Sequence, residues 1–203
     1  MTTWVEPSGG RARGPLGLLQ AWTQVLASPR AFFREAVTPG DQGPGLFFAL
    51  GVVLVEELSR YVLAPTVIPT YSGDPWLDGA LFLAVSVLLV TPLVLHASAA
   101  LVTLALVPLA KDRGTISATV QVVAYAAAPC VFAGIPVPAV RVLACAYGFA
   151  LLLVGLSVVH RITLSRALAV AAIPGTLVYG YGFRGFGALV SILPPLTRLP
   201  WVH

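Results

Sequence analysis

The chain has 203 residues, of which 58% are hydrophobic and only 10% charged, and its mean hydropathy is +0.90. Soluble globular domains carry about 25% charged residues, so a chain this apolar is not an ordinary soluble enzyme, and disorder needs the opposite composition. What remains is an all-α, polytopic membrane helical bundle, and its net charge of +4, from eleven arginines and the single Lys111, reads as a topology signal rather than a nucleic-acid footprint.

Residues 1–14 are polar and rich in Gly and Arg, and read as a flexible tail. No run in residues 1–40 has the basic, apolar and small-residue order of a signal peptide. Over 15–38, Leu18, Leu19, Trp22, Val25 and Leu26 recur at helical spacing. Ser28-Pro29 then offers a cap and a first-turn proline, and Phe32 and Phe33 follow between Arg30 and Arg34. This predicts two short amphipathic helices, at the membrane–water interface on the cytoplasmic side or packed on the bundle itself.

Five spans are expected within a membrane domain at 39–187, at about 44–63, 77–110, 117–134, 139–159 and 167–186. The second is long: a helix over 77–110 would measure about 50 Å against a hydrocarbon core of about 30 Å. Without a turn to divide it, it reads as one helix bent at Pro92. Thr115 or Ser117 caps the third span, Ile135 to Pro138 makes a tight turn, and Pro174-Gly175 kinks the fifth. Residues 188–203 read as a C-terminal tail. An odd number of spans puts the termini on opposite sides. Arg11, Arg13, Arg30, Arg34, Lys111, Arg113, Arg161 and Arg166 then share the N-terminal side, against Arg60, Arg141, Arg184 and Arg198 on the other. The positive-inside rule makes the N-terminal side cytoplasmic and the C-terminus external, with the plasma membrane as the expected location.

Charged groups inside spans cost about 2.5–3.5 kcal/mol each on insertion scales. Glu56 and Glu57 lie past the middle of the first span, and Arg60 is within one helical turn of both. Either one glutamate pairs with Arg60 and the other meets a neighbouring helix or the outer interface, or the carboxylates form a protonatable or ligand-binding site. His96 lies in the second span. Neither it nor His160 has metal-ligand spacing, so no metal or other cofactor is expected. Cys130 and Cys145 sit in apolar runs as packing residues. Small residues at four-residue spacing (Ala126, Cys130, Gly134; Ala167, Ala171, Gly175) predict close helix packing. Arg184-Gly185-Phe186-Gly187 copies half of an RNA-recognition motif, but Ala188 stands where an aromatic is required, so nucleic acid is not an expected partner. No nucleophile elbow, phosphate loop or Ser/His/Asp arrangement is present.

The run from Gln121 through Tyr125 to Pro129, with Gly134-Ile135-Pro136-Val137-Pro138 after it, resembles the Yip domain family of five-span membrane proteins named for interaction with Ypt/Rab GTPases. Val25-Leu26-x-x-Pro29-x-x-Phe32-Phe33 precedes the first span in the same order. Also in place are His96, the Thr119 to Tyr125 run, and Gly155-Leu156-x-x-x-His160 followed by Ser165-Arg166-Ala167. The resemblance covers about residues 22–185. It implies a helical membrane fold with a cytoplasmic N-terminal segment, no enzymatic activity, and Tyr125, Pro129, Pro136 and His160 as family-motif positions. The eukaryotic branch works in vesicle trafficking; this arginine-rich, lysine-poor chain looks more prokaryotic.

Two functions follow as expectations. One is a scaffold or adaptor in the lipid bilayer, meeting a cytoplasmic protein partner through a basic face of Arg30, Arg34, Lys111, Arg113, Arg161 and Arg166. The other is a small transporter, channel or lipid handler using Glu56, Glu57 and His96.

Overall fold

The computed structural model describes residues 3–5, 11–110 and 112–193. Within the stretch read as a tail, Thr3–Val5 (β1) and Arg11–Arg13 (β2) pair antiparallel. Among the described residues all else regular is helical.

α1 (Gly14–Ala27) turns Gly17, Ala21 and Val25 inward, one residue per helical turn. α2 (Pro29–Ala36) follows after a single residue and starts on the expected proline, although the Ser28 side chain makes no capping bond. Its Phe32, Phe33 and Ala36 are buried, while Arg30 and Arg34 are exposed. The apolar face of this segment is thus spent on the bundle. Trp22 Nε1 donates to the Ala128 carbonyl at 2.8 Å and Tyr147 Oη donates to the Leu26 carbonyl at 2.6 Å. After α2, the Gln121 amide clamps the Thr38 peptide, accepting its N–H at 3.1 Å and donating to its carbonyl at 2.7 Å.

α3 (Gly43–Leu63) buries Phe48, Ala49, Val52 and Glu56 along one stripe. α4 (Pro75–Leu106) is one helical path, as the sequence predicts for this stretch. Asp74 caps it by accepting from the N–H of Trp76 at 2.9 Å. Pro92 has no N–H and its ring clashes with the preceding turn. The helix answers with a wide π-turn over Ser86–Val90, where the Thr91 hydroxyl donates to the Ser86 carbonyl at 2.7 Å.

α5 (Ile116–Ala126) continues as a tighter 3₁₀ segment over Ala128–Phe132. Thr115, of the two candidates, is its cap, accepting from the Ala118 N–H at 3.2 Å. Every residue from Ala118 to Ala126 is buried, which fits a central helix that is apolar on most of its circumference and whose Thr119 and Gln121 have hydrogen-bond partners. α6 (Pro138–Val159) and α7 (Leu164–Gly175, widening into a π-turn over Thr176–Gly182 after Pro174) complete the bundle. α8 (Gly185–Ile192) folds back on α6 at the start of the expected C-terminal tail.

α3, α5 and α7 run one way and α4 and α6 the other. At one end Gly45 touches Gln121, Gly114 touches Val159, and Arg166 donates to the Leu109 carbonyl. At the other, Gly134 touches Glu56, and Arg184 reaches the same glutamate. A β-carbon on Gly134 would collide with the Glu56 carbonyl and the Ser59 hydroxyl, so only glycine lets these backbones approach. The predicted small-residue rows are such faces, with Ala126, Cys130, Ala167 and Ala171 fully buried.

Large apolar side chains, among them Leu81, Leu88, Leu89, Leu93 and Leu104 of α4, remain exposed over most of the outer surface. Soluble monomers do not display apolar area on this scale. Among the described residues two helices, α4 and α6, are long and apolar enough to cross a membrane. The other three expected spans differ for visible reasons: α3 carries three charges, α5 with its 3₁₀ extension is short, and α7 changes helical type at Pro174.

Candidate functional site

Two charged clusters mark the two ends of the bundle. The first gathers Glu56, Glu57 and Arg60 of α3 with Arg184, just past α7. Glu57 takes Arg60, accepting from Nε at 3.1 Å, and accepts from Arg184 Nη1 at 3.1 Å with its other oxygen. Glu56 pairs with Arg184 Nη2. Glu56 and Glu57 are 1% and 6% exposed. Two acids and two bases therefore cancel, which is what lets this much charge stay buried. The cluster closes one end of a cavity of about 260 Å³. The remaining walls are mainly apolar, including Val53, Val94, Val123 and Phe183.

Sequence reasoning assembles Glu56, Glu57 and Arg60 but misses Arg184. The available signal was arithmetic: with Arg60 spent on one carboxylate, the second needs another base. Arg184 has a left-handed backbone, φ 60°, which turns the chain from α7 into α8. His96 does not join. It is exposed, its Nδ1 lies 2.7 Å from the Pro92 carbonyl on its own helix, and it does not line the cavity.

The second cluster is basic and open. Arg34 of α2 and Arg161, in the turn after α6, line one cavity of about 480 Å³ with Phe33, Val37, Val158 and Val159. Among the described residues Arg161 is the other non-glycine residue with positive φ, at 52°. Arg113 and Arg166 lie at the same end, Arg30 is exposed on α2, and Lys111 lies outside the described residues. Beside this cavity, His160 is buried one residue beyond α6. Its Nδ1 accepts the Gly114 N–H at 3.1 Å, which leaves Nε2–H to donate to Thr119 Oγ1 at 3.2 Å. Burial, and then the positive charge of Arg113, lower its pKa from 6.5 to about 4. His160 is therefore neutral at physiological pH and acts as a tie between α5 and α6. Among the described residues no three His, Cys, Asp or Glu side chains converge to hold a metal.

The resemblance found in the sequence can be placed on this geometry. Tyr125 is 1% exposed, with Phe32 and Phe48 packed edge-on against its ring at 4.9 and 5.1 Å. Pro129 is buried in the first half of the 3₁₀ segment that starts at Ala128, the acceptor for Trp22. Pro136 turns α5 into α6. These positions dock the N-terminal helices on the bundle and order its loops. The family model for the Yip1 domain matches residues 23–183. The chain belongs to the Yip1 domain family. The match starts inside α1 and ends at Phe183, so it takes in the last turn of α1, all of α2 and the membrane-compatible bundle of the Yip1 domain. No curated protein and no solved structure matches the chain.

Proposed function

We propose that this Yip1-domain protein is a non-enzymatic, five-span membrane scaffold that recruits a partner to its basic end. The convergence of Arg34 and Arg161 on one open cavity carries the reading, because it makes a single surface from distant parts of the chain. α3 to α7 would be the spans, with the basic end cytoplasmic by the positive-inside rule and the plasma membrane of a prokaryotic cell as the setting. An antiparallel bundle with unlike ends fits an odd span number. The polar flank of α2 and the loops bearing Lys111, Arg113, Arg161 and Arg166 would meet an acidic protein surface.

The test is capture of co-purifying proteins by the full chain in mild detergent, compared with an Arg30→Gln/Arg34→Gln variant. A stoichiometric partner lost in the variant supports the scaffold; a chain that purifies alone counts against it. The cavity beside Glu56 and Glu57 favours a second reading, a small transporter or lipid handler that does not use His96. Proteoliposome flux or lipid exchange that stops in Glu56→Gln, with the fold intact, would support it.

A further inference from the structure

We propose that the Arg34–Arg161 cavity binds the phosphate of an anionic phospholipid headgroup from the surrounding membrane. This rests on the scaffold reading and gives its basic face a defined ligand. Four observations point the same way.

Neither arginine has an ion-pair or hydrogen-bond partner among the described residues, in contrast to Arg60, Arg141, Arg166 and Arg184. Two free guanidinium forks in one cavity suit phosphate oxygens, which accept such donors in pairs. No acid lines the cavity; Glu35, next to Arg34, is not among its walls.

Phe33, Val37, Val158 and Val159 supply apolar walls. A free phosphate gains nothing from such walls, whereas the glycerol and upper acyl carbons of a lipid do. Gly114 and Ala118 bring in the N-terminal end of α5, where the helix dipole favours an anion.

Arg161 holds a left-handed backbone at φ 52°. That conformation is unfavourable for a residue with a β-carbon and free for glycine. Here it closes the C-terminus of α6, with the Ile162 N–H donating to the Ser157 carbonyl at 3.2 Å, a position that glycine fills most often.

The substitution that tests the site can therefore spare the fold. Native mass spectrometry of the full chain would compare phosphatidylglycerol, phosphatidylcholine and inorganic phosphate. Phosphatidylglycerol should bind in preference to phosphatidylcholine, and millimolar inorganic phosphate should not displace it. Arg34→Gln and Arg161→Gly should each weaken phosphatidylglycerol binding about fivefold, the value of one base near an anionic headgroup. Arg161→Gly should keep or raise the melting temperature. Arg30→Gln, outside the cavity, should leave binding unchanged.

Equal weakening by Arg30→Gln would overturn the site in favour of diffuse attraction. Displacement by inorganic phosphate would overturn the lipid as its occupant, and equal binding of the two lipids would overturn anion selectivity. Partner capture, scored on the same variants without added lipid, keeps a failed scaffold distinct from a failed lipid site.

Discussion

Arg184 is the only base that reaches Glu56 among the described residues, and this makes a sharp stability prediction. Arg184→Gln leaves Glu57 with Arg60 but strands the Glu56 carboxylate, 1% exposed beside a mainly apolar cavity. Breaking one half of a buried pair costs about 3–5 kcal/mol. The Arg184 side chain is 32% exposed, so solvent screens part of the pair and the lower end, about 3 kcal/mol, is expected. Glu56→Gln/Arg184→Gln removes both charges and keeps the neutral Glu57–Arg60 pair, so it should lose only about 1 kcal/mol of hydrogen bonding. The double variant is then more stable than the Arg184 single variant by about 2 kcal/mol, a strong coupling between the two sites. Reversible unfolding in mixed micelles titrated with dodecyl sulfate, followed by tryptophan fluorescence, reads all the variants of the cycle. Additive losses, or an Arg184→Gln loss below about 1 kcal/mol, would refute a buried, coupled cluster.

Gly134→Ala drives a methyl group into the Glu56 carbonyl and the Ser59 hydroxyl, and overpacking of this kind should lower stability by about 1–3 kcal/mol in the same titration. His160 makes stability depend on pH. Above its unfolded pKa of 6.5 the ring is neutral in both states and its full contribution is present; as pH falls from 6.5 towards 4 the unfolded chain binds the proton first and stability declines. The whole window amounts to about 3 kcal/mol, and His160→Gln should flatten the curve between these limits. Trp22→Phe removes the indole donor to the Ala128 carbonyl at a cost of about 1 kcal/mol. Faster amide exchange over Gly14–Ala27, with α6 unchanged, should report it; unchanged exchange in α1 would mean that this bond does not hold the helix down.

The parts of the fold that were legible in the sequence are those set by local chemistry. Pro29 and Pro44 open helices because a first-turn proline lacks only an N–H that the helix does not use, and Pro138, expected as the end of a turn, opens α6 for the same reason. Pro92 and Pro174 sit beside the two π-turns. The reach of α4 followed from the absence of a turn. What the sequence left open depends on pairing across the chain. Hydropathy alone does not separate an amphipathic helix on a lipid surface from one on a protein surface, because Phe32 and Phe33 satisfy either. The Trp22, Tyr147 and Gln121 hydrogen bonds hold that segment on the bundle, and all three join it to distant residues. Arg184 was hidden for the same reason, since 128 positions separate it from Glu56. His96 looked like part of a polar path only because a histidine in an apolar run is conspicuous, and its rotation about the helix axis is set by the packing of α4.

The two ends of the bundle hold similar charges in opposite states. At the Glu56 end, bases and acids are matched and buried, so their fields cancel and the cluster acts chiefly on the helices that carry it. At the Arg34 end the guanidiniums are unmatched and open, so their field extends outwards. The left-handed arginines make the contrast specific: Arg184 spends its side chain on two carboxylates of its own chain, whereas Arg161 leaves its side chain without a partner among the described residues. Pairing within the chain gives the strain at Arg184 a structural return. At Arg161 the left-handed turn closes the end of α6 through the backbone alone, the Ile162 N–H donating to the Ser157 carbonyl at 3.2 Å, and a ligand supplied by the membrane at the basic end is the interaction that would use its side chain.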